Sequence, residues 1–386
     1  MSADPELATG PVRATDGAIA AINLRSTLAQ SWNRFWQAPL RTGIAEVLVE
    51  QEQLAAQFLG DLDACERLEQ LASHLLRRDP ESARTALIEA QVAASVHRFA
   101  HARQCLARAT QRSGPAPAIE RLAMSIDQAC GVSPEALLER RRRVAATSGR
   151  LEDWVPLGSL LGDLGEIDEA ERAYCRALGA YRDVSPFAVA WVCFLLGVLW
   201  GERARQPQSA RAARWYAKAI EYLPGYVKAR VHLAEIRAAE GRAGEARALL
   251  LPALASGDPE VSWRLSDVAI VQGRPAEARA LSEAARLGFE ALLARHPLAF
   301  ADHAAEFHAG SGGDARRAFE LTRIDLANRP TLRAFESAHE AATRAGETQE
   351  AAGILAAARR RWGSTPAFRQ SPLAAMSPRT EEDHAD

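Results

Sequence analysis

A group of polar side chains near residue 300 has the residue types that bind metal ions or carry protons. In the segment ADHAAEFHAG, Asp302, His303 and Glu306 fall within one predicted helical turn, His308 follows, and His296 lies upstream. Carboxylates and imidazoles are common ligands of transition metals. One hypothesis is therefore a metal-binding protein or metal-dependent enzyme that uses Asp302, His303, Glu306 and His308. The alternative is the polar face of an ordinary helix, whose side chains cap helices or fill interfaces.

The other candidate sites lack parts that their chemistry needs. His97 and His101 are four residues apart, but no third ligand follows nearby. The glycine cluster HAGSGGDA at 308–315 has no lysine, and the motifs GxSxG and HExxH are absent. We therefore predict a protein that is not an enzyme and that has no catalytic residues, no metal site and no cofactor.

The charge of the chain gives no general attraction for nucleic acid or anionic membranes. Its 386 residues include 47 Lys and Arg and 49 Asp and Glu, a formal net charge of −2. Two arginine runs, at 139–147 and 358–363, could suggest RNA or DNA. Consecutive residues on a helix point to every side, however, so one run cannot follow one phosphate track. We predict no nucleic-acid partner.

Composition also bears on the compartment. The five cysteines are odd in number and irregularly spaced, and residues 1–17 show no secretory signal, so we predict a cytoplasmic protein. The abundance of Ala and Arg is typical of GC-rich bacterial genes. The longest uncharged run, 187–201, has 15 residues, whereas a membrane-spanning helix needs about 20. We predict a buried helix and no membrane insertion.

The elements that would position all these residues are helical hairpins. In DWVPLGSLLGDLGEIDEAERAYCRAL (153–178), two apolar stripes at helical spacing meet at Gly165, which can end one helix before Asp168 begins the next. The same pattern recurs. Ala102, Ala136 and Ala170 are 34 residues apart, as are Ala212 and Ala246. Looser copies surround Cys65, Ala278, Ala315 and Ala351, which gives about nine hairpins.

A 34-residue helix–turn–helix period of this kind resembles the tetratricopeptide repeat family. The resemblance rests on Trp154, Leu157, Gly158, Gly165, Ala170, Tyr174, Ala177, Ala212, Tyr216, Ala219, Pro224 and Ala246. It implies an all-α fold, namely a right-handed superhelical α-solenoid of about nine degenerate hairpins, with a concave groove lined mainly by first helices. We expect a disordered N-terminus at 1–11, a capping helix at 12–38, the solenoid at 39–362 and a disordered tail at 363–386.

The resemblance also implies which residues face the groove. Counting back from the matched alanines gives Arg84, Gln91, Arg121, Gln128, Glu152, Val155, Ser159, Lys228, Val231, Glu235, Trp263, Asp267, Arg333 and Glu336. Trp263 is either an exposed anchor for a partner or a packing residue between helices. The Lys/Asn/Lys/Arg set with which some family members grip a C-terminal carboxylate is missing.

Three functional hypotheses follow. The leading one is a non-catalytic scaffold or adaptor that binds a partner protein or peptide in the groove. The second is the metal site at 302–308. The third is a sensor that binds a peptide or small molecule in the apolar region around Trp191 to Trp200. The sequence predicts neither the partner nor the oligomeric state.

Overall fold

A computed structural model describes residues 12–376, and within that range the chain is all-α, with no strand. Most helices are 13 to 16 residues long. In chain order they are α1 (Gly17–Gln37), α2 (Ile44–Leu59), α3 (Ala64–Arg78), α4 (Ala83–Ser95), α5 (Phe99–Ser113), α6 (Pro117–Ala129), α7 (Pro134–Ser148), α8 (Leu151–Asp163), α9 (Ile167–Ala180), α10 (Pro186–Val198), α11 (Ser209–Tyr222), α12 (Val227–Ala239), α13 (Ala243–Leu250), α14 (Pro259–Val271), α15 (Pro275–Arg295), α16 (Pro297–Ala309), α17 (Ala315–Asn328), α18 (Leu332–Arg344), α19 (Thr348–Trp362) and α20 (Pro366–Gln370).

From α2 to α19 the helices pair into nine hairpins within residues 12–376, which confirms the predicted all-α repeat solenoid. Gly165 makes the turn between α8 and α9 with φ +81°, and the Glu166 amide donates to the Leu161 carbonyl at 2.9 Å. In the α4–α5 hairpin the same place is held by His97, at φ +56°. That conformation is rare for a residue with a side chain. The same positive-φ turn between the two helices therefore occurs even in a hairpin that has no glycine at this place.

Inside each hairpin, small residues let the two helices approach closely. A Cβ added at Gly158 would lie 2.8 Å from the Tyr174 ring, and Ala170 and Ala177 are completely buried. The same contact joins Gly197 to Tyr216, where an added Cβ would lie 2.4 Å from the ring. The residues that carry the family resemblance are thus packing residues.

Two of the matched alanines, Ala136 from the 34-residue series and Ala315 from the looser copies, are displaced along their helices. Ala136 is exposed, and its neighbour Leu137 is one of the buried residues of α7. Ala315 is half-buried at the start of α17, and Ala318, five residues after the turn at Gly313, takes the fully buried place. The match at Ala315 is wrong because matching alanines ignores the turn that sets the register. The shift at Ala136 has no such explanation, because Ala136 also follows a positive-φ glycine, Gly131, by five residues.

The solenoid coils so tightly that one superhelical turn rests on the next. Phe58 packs on Tyr226 with ring centroids 4.7 Å apart. His97 Nδ1 lies 3.2 Å from the Leu298 carbonyl, 201 residues further along. Arg361 donates to the Gly131 carbonyl at 2.9 Å, across 230 residues. Because both partners advance together along the chain, these contacts form one continuous seam, defined here as the inter-turn seam. The handedness of the coil stays a prediction.

Both ends of the described chain are fastened to this seam. The helix α1 falls within the range of the predicted capping helix, and its capping role stays a prediction. Just before α1, the Thr15 amide donates to the Val184 carbonyl at 2.7 Å. Gly17, the first residue of α1, packs against the backbone at Tyr222.

At the C-terminal end of the described residues, the expected disordered tail is wrong as far as Met376. Residues 366–375 form α20 and a 3₁₀ turn, with Leu373 buried, and the Ala367 amide donates to the Leu164 carbonyl at 3.1 Å. The predictions for 1–11 and 377–386 lie outside the described residues.

The apolar run at 187–201 forms most of α10 and a π-helical extension, Leu199–Arg203. By length and composition the segment Pro186–Arg203 could cross a membrane, but 61% of it is buried inside the protein. That burial is what a core helix requires. It agrees with the predicted buried helix.

The seam can be tested at Gly131, where φ is +57° and an added Cβ would lie 2.8 Å from the Trp362 ring. We expect Gly131→Ala to lower the free energy of unfolding by about 1 kcal/mol for the backbone and about 1–3 kcal/mol more for overpacking. Urea denaturation measures the loss. Gly346→Ala is the matched control, because its φ is +78° and its added Cβ meets nothing within 4 Å. Equal losses in both variants would contradict a seam at this place.

Candidate binding groove

First helices of successive hairpins lie side by side and are tied together by ion pairs. Arg264 on α14 binds Glu235 on α12 and approaches Glu306 on α16, with Nη2 and Oε1 3.3 Å apart. One guanidinium thus connects three consecutive first helices. These helices form one continuous face, as expected for the groove of a helical solenoid.

A second ion pair crosses this face. The Arg333 guanidinium on α18 donates to Glu202, at the end of the α10 extension, at 3.0 Å and across 131 residues. Glu202 also lies 3.2 Å from His232 Nδ1 on α12. The side chains Glu202, His232, Glu235, Arg264, Glu306 and Arg333 are called the charged ladder below. Because residues four hairpins apart touch, the groove is narrow here.

The charged ladder shifts the pKa values of its own members. Burial would raise the pKa of Glu202, but the His232 hydrogen bond and the nearby arginines lower it to about 2. Burial opposes protonation of His232, yet its bond to Glu202 and the charge of Glu235 raise its pKa above the ordinary value. Desolvation raises the pKa of Glu235. The Glu202–His232 contact is therefore an ion pair in mildly acidic solution.

An apolar stripe lies beside the ladder on α10. Trp191, Phe194 and Val198 are half-buried, and Phe194 lies 5.2 Å from the His232 ring. Because Gly197 meets Tyr216 as Gly158 meets Tyr174, these three residues take the places that Glu152, Val155 and Ser159 take on α8. We call them the apolar stripe. Counting back from Ala212 does not find them, since the π-helical extension lengthens the first helix; the clue in the sequence was the wider Gly197–Tyr216 spacing.

Most of the predicted groove residues are at least partly exposed, and several already have partners. Arg84 binds Glu46, Arg121 binds Asp153, and Asp267 accepts a hydrogen bond from Ser311 at 2.6 Å. Exposed or half-buried are Arg84, Gln91, Arg121, Gln128, Glu152, Ser159, Lys228, Glu235, Asp267, Arg333 and Glu336. Which of them a partner would touch stays a prediction.

Three predicted groove residues belong to the core instead. Val155 and Val231 are buried among apolar neighbours. Trp263 is only 3% exposed, packs on Phe307 with centroids 5.7 Å apart, and donates its indole N–H to Ser311 at 2.8 Å. An exposed Trp263 anchor is therefore wrong, and the packing alternative holds.

The polar group at 302–308 does not converge on one point. Asp302 binds Arg329 at 2.5 Å, His303 Nδ1 lies 3.8 Å from Glu260, and Glu306 lies beside Arg264. His308 is buried and lies 3.6 Å from Glu290, on the neighbouring α15. Since each side chain has a different neighbour, the geometry contradicts the metal hypothesis for this group.

Among residues 12–376, one other group places three potential metal ligands within 4.8 Å of one another: Glu89, His101 and Cys105. Arg108 occupies the same place, because its Nη2 lies 2.5 Å from Glu89 and 3.1 Å from the Cys105 sulfur. A guanidinium satisfies the carboxylate and would repel a cation. His97, which the sequence pairs with His101, turns away toward Leu298.

The packing within the hairpins identifies the type of repeat fold. Gly158 lies under Tyr174, Ala170 and Ala177 are fully buried, and a positive-φ turn precedes them, as a tetratricopeptide hairpin requires. The chain has a tetratricopeptide-like fold. No protein-family model and no curated protein matches it.

Several solved structures are similar to this repeat protein. The structure of the APC/C hetero-tetramer Cut9–Hcn1 has 12% identity and a TM-score of 0.46, and the match covers 90% of this chain but 66% of that one. A human IFIT1 dimer with m7Gppp-AAAA has 14% identity and a TM-score of 0.44 over 93% and 85% of the two chains. The C-terminal part of a TPR repeat-containing protein from Cytophaga hutchinsonii has 13% identity and a TM-score of 0.31 over 76% and 97%.

The ion pair at Glu202 makes stability depend on pH. A raised histidine pKa contributes stability that is complete below the ordinary value of 6.5 and is lost as the pH rises through the folded value. We expect Glu202→Gln to lower the free energy of unfolding more at pH 6 than at pH 9, as measured by urea denaturation. Glu347→Gln, at an exposed residue without an ion pair in the described chain, should show no such difference. Equal losses for Glu202→Gln at both pH values would disprove the coupling.

Proposed function

We propose that this protein is a non-catalytic scaffold that binds a segment of a partner protein in its groove. The observation that carries the proposal is the apolar stripe set beside the charged ladder on one continuous face. Interfaces combine a few apolar anchors with polar surroundings that fix orientation. Because the fold already holds the groove open, binding a partner does not cost the free energy of ordering the groove.

The charges of the groove favour a basic partner segment. Glu306 and Glu340 are more than half exposed, although Arg264 and Arg344 pair with them, and Glu336 has no ion-pair partner in residues 12–376. Arg333, one turn before Glu336 on α18, is already bound to Glu202. A segment that places an apolar side chain on Trp191, Phe194 and Val198 and Lys or Arg near Glu336 would match both features. Complementary charge sets the orientation and the rate of encounter.

A protein partner is favoured over nucleic acid because part of each arginine run is engaged within the protein, which interrupts any basic track for a phosphate backbone. Arg141 is buried, Arg142 binds Glu139 and Glu169, and Arg361 binds backbone carbonyls at Cys130 and Gly131.

The cysteines bear on the compartment. The five cysteines are all unpaired, four of them buried. Unpaired thiols support a reducing compartment, so we propose the cytoplasm of a bacterium.

The groove can be tested with a displayed library of random peptides. Selection on the wild type is expected to enrich peptides that combine an aromatic or aliphatic residue with Lys or Arg. Selection on Glu336→Arg/Glu340→Arg should lose the basic preference while it keeps the apolar one. The matched control is Glu347→Arg/Glu350→Arg, two exposed acids at the start of the second helix of the same hairpin.

A second measurement locates the bound peptide. A photo-crosslinking amino acid at position 340 should capture an enriched peptide, whereas the same residue at position 316, on α17, should not. Equal capture at both positions, or an unchanged basic preference in the groove variant, would overturn the proposed binding face.

A further inference from the structure

A pocket of about 380 Å³ lies away from the groove residues named above. It opens between α7 and α9, the second helices of two successive hairpins, and the first helix α8 forms its floor through Trp154, Leu157 and Leu161. Ala146 and Ala173 line the sides and are too small to fill the gap. The pocket is therefore a consequence of two small residues in adjacent hairpins.

The rim of this pocket is basic. Arg142, Arg172 and Arg176 line it together with one carboxylate, Glu169. Arg142 pairs with Glu169 at 2.9 Å and so neutralises it. Neither Arg172 nor Arg176 has a carboxylate within 4.0 Å in residues 12–376, and the Arg176 guanidinium stands 5.1 Å from the centre of the Trp154 ring. Two positive charges therefore remain above an apolar, aromatic floor.

Many arginines of the chain are neutralised by a carboxylate, as Arg67, Arg84, Arg264 and Arg329 are, and these have no charge left for an external anion. Arginines that overhang a cavity without a counter-charge can take an external anion at little desolvation cost. Their planar, weakly hydrated donors suit phosphate and carboxylate oxygens.

We propose that this pocket binds a small free anion with an aromatic body, such as an aryl phosphate or a nucleoside monophosphate. The ring would lie against Trp154, Leu157 and Leu161, and the phosphate would accept hydrogen bonds from Arg172 and Arg176. The volume is at the lower end of the range for small-molecule sites, which limits the ligand to one aromatic ring system and one anionic group. This site is independent of the partner-binding groove proposed above.

The probe for this site is 1-naphthyl phosphate, with AMP as a second probe. Calorimetry should detect one site per chain. Two-dimensional ¹H–¹⁵N spectra should show a shift of the Trp154 indole N–H, assigned by its disappearance in Trp154→Phe. 1-Naphthol lacks the phosphate group and inorganic phosphate lacks the aromatic ring, so each should bind at least tenfold more weakly than 1-naphthyl phosphate.

The variant Arg172→Ala/Arg176→Ala should weaken binding of 1-naphthyl phosphate by about 10- to 100-fold, the range for lost charge-assisted hydrogen bonds. Both side chains are exposed, so the melting temperature should stay close to that of the wild type. Arg316→Ala is the control, since its side chain is 84% exposed and lies on α17. Unchanged affinity in the double variant, an unshifted Trp154 signal, or equal binding of inorganic phosphate alone would overturn the assignment.

Discussion

The structure depends on the close approach of two helices within a hairpin and on the apolar surface that this approach leaves uncovered. Tyr174 lies on Gly158 and Tyr216 on Gly197, so each pair of helices is held at short distance by one ring on one glycine. A hairpin built this way still exposes apolar residues on its sides. Stacking the next hairpin covers them, which is why the units form an array and not a globule.

The inter-turn seam adds a constraint that stacking alone does not supply. In an array held only by contacts between neighbouring hairpins, small rotations at each interface add up, so the pitch of the superhelix can change. Here Phe58, His97, Gly131 and Leu164 contact residues about one superhelical turn further along the chain. The spacing between turns is thereby fixed, and the groove has a defined width. That width is what allows Arg333 to reach Glu202 across it.

How much could be predicted from the sequence follows from the range of each interaction. Gly165, Ala170 and Tyr174 lie within one hairpin, so their spacing alone indicates their roles. Ala367 packs at Gly165 and Trp362 packs at Gly131, each some 200 residues or more away, and no local pattern indicates these contacts. Trp263 shows the same limit, because its burial depends on Phe289 and Phe307 in the next two helices. The apolar stripe was displaced from the expected register by a π-helical segment, which periodicity does not reveal.

The distribution of charge, rather than its total, distinguishes the two candidate sites. A net charge of −2 argues against a broadly basic or acidic surface, but it says nothing about local excess. On α18 the groove carries Glu336, a half-buried carboxylate without an ion pair in residues 12–376, whereas the pocket at Trp154 carries two guanidinium groups without a counter-charge. Because opposite signs lie on different hairpins, a basic peptide and a small anion would not compete for the same surface. An experiment can therefore contradict peptide binding in the groove without contradicting anion binding in the pocket, or the reverse. Neither result would change the description of the fold.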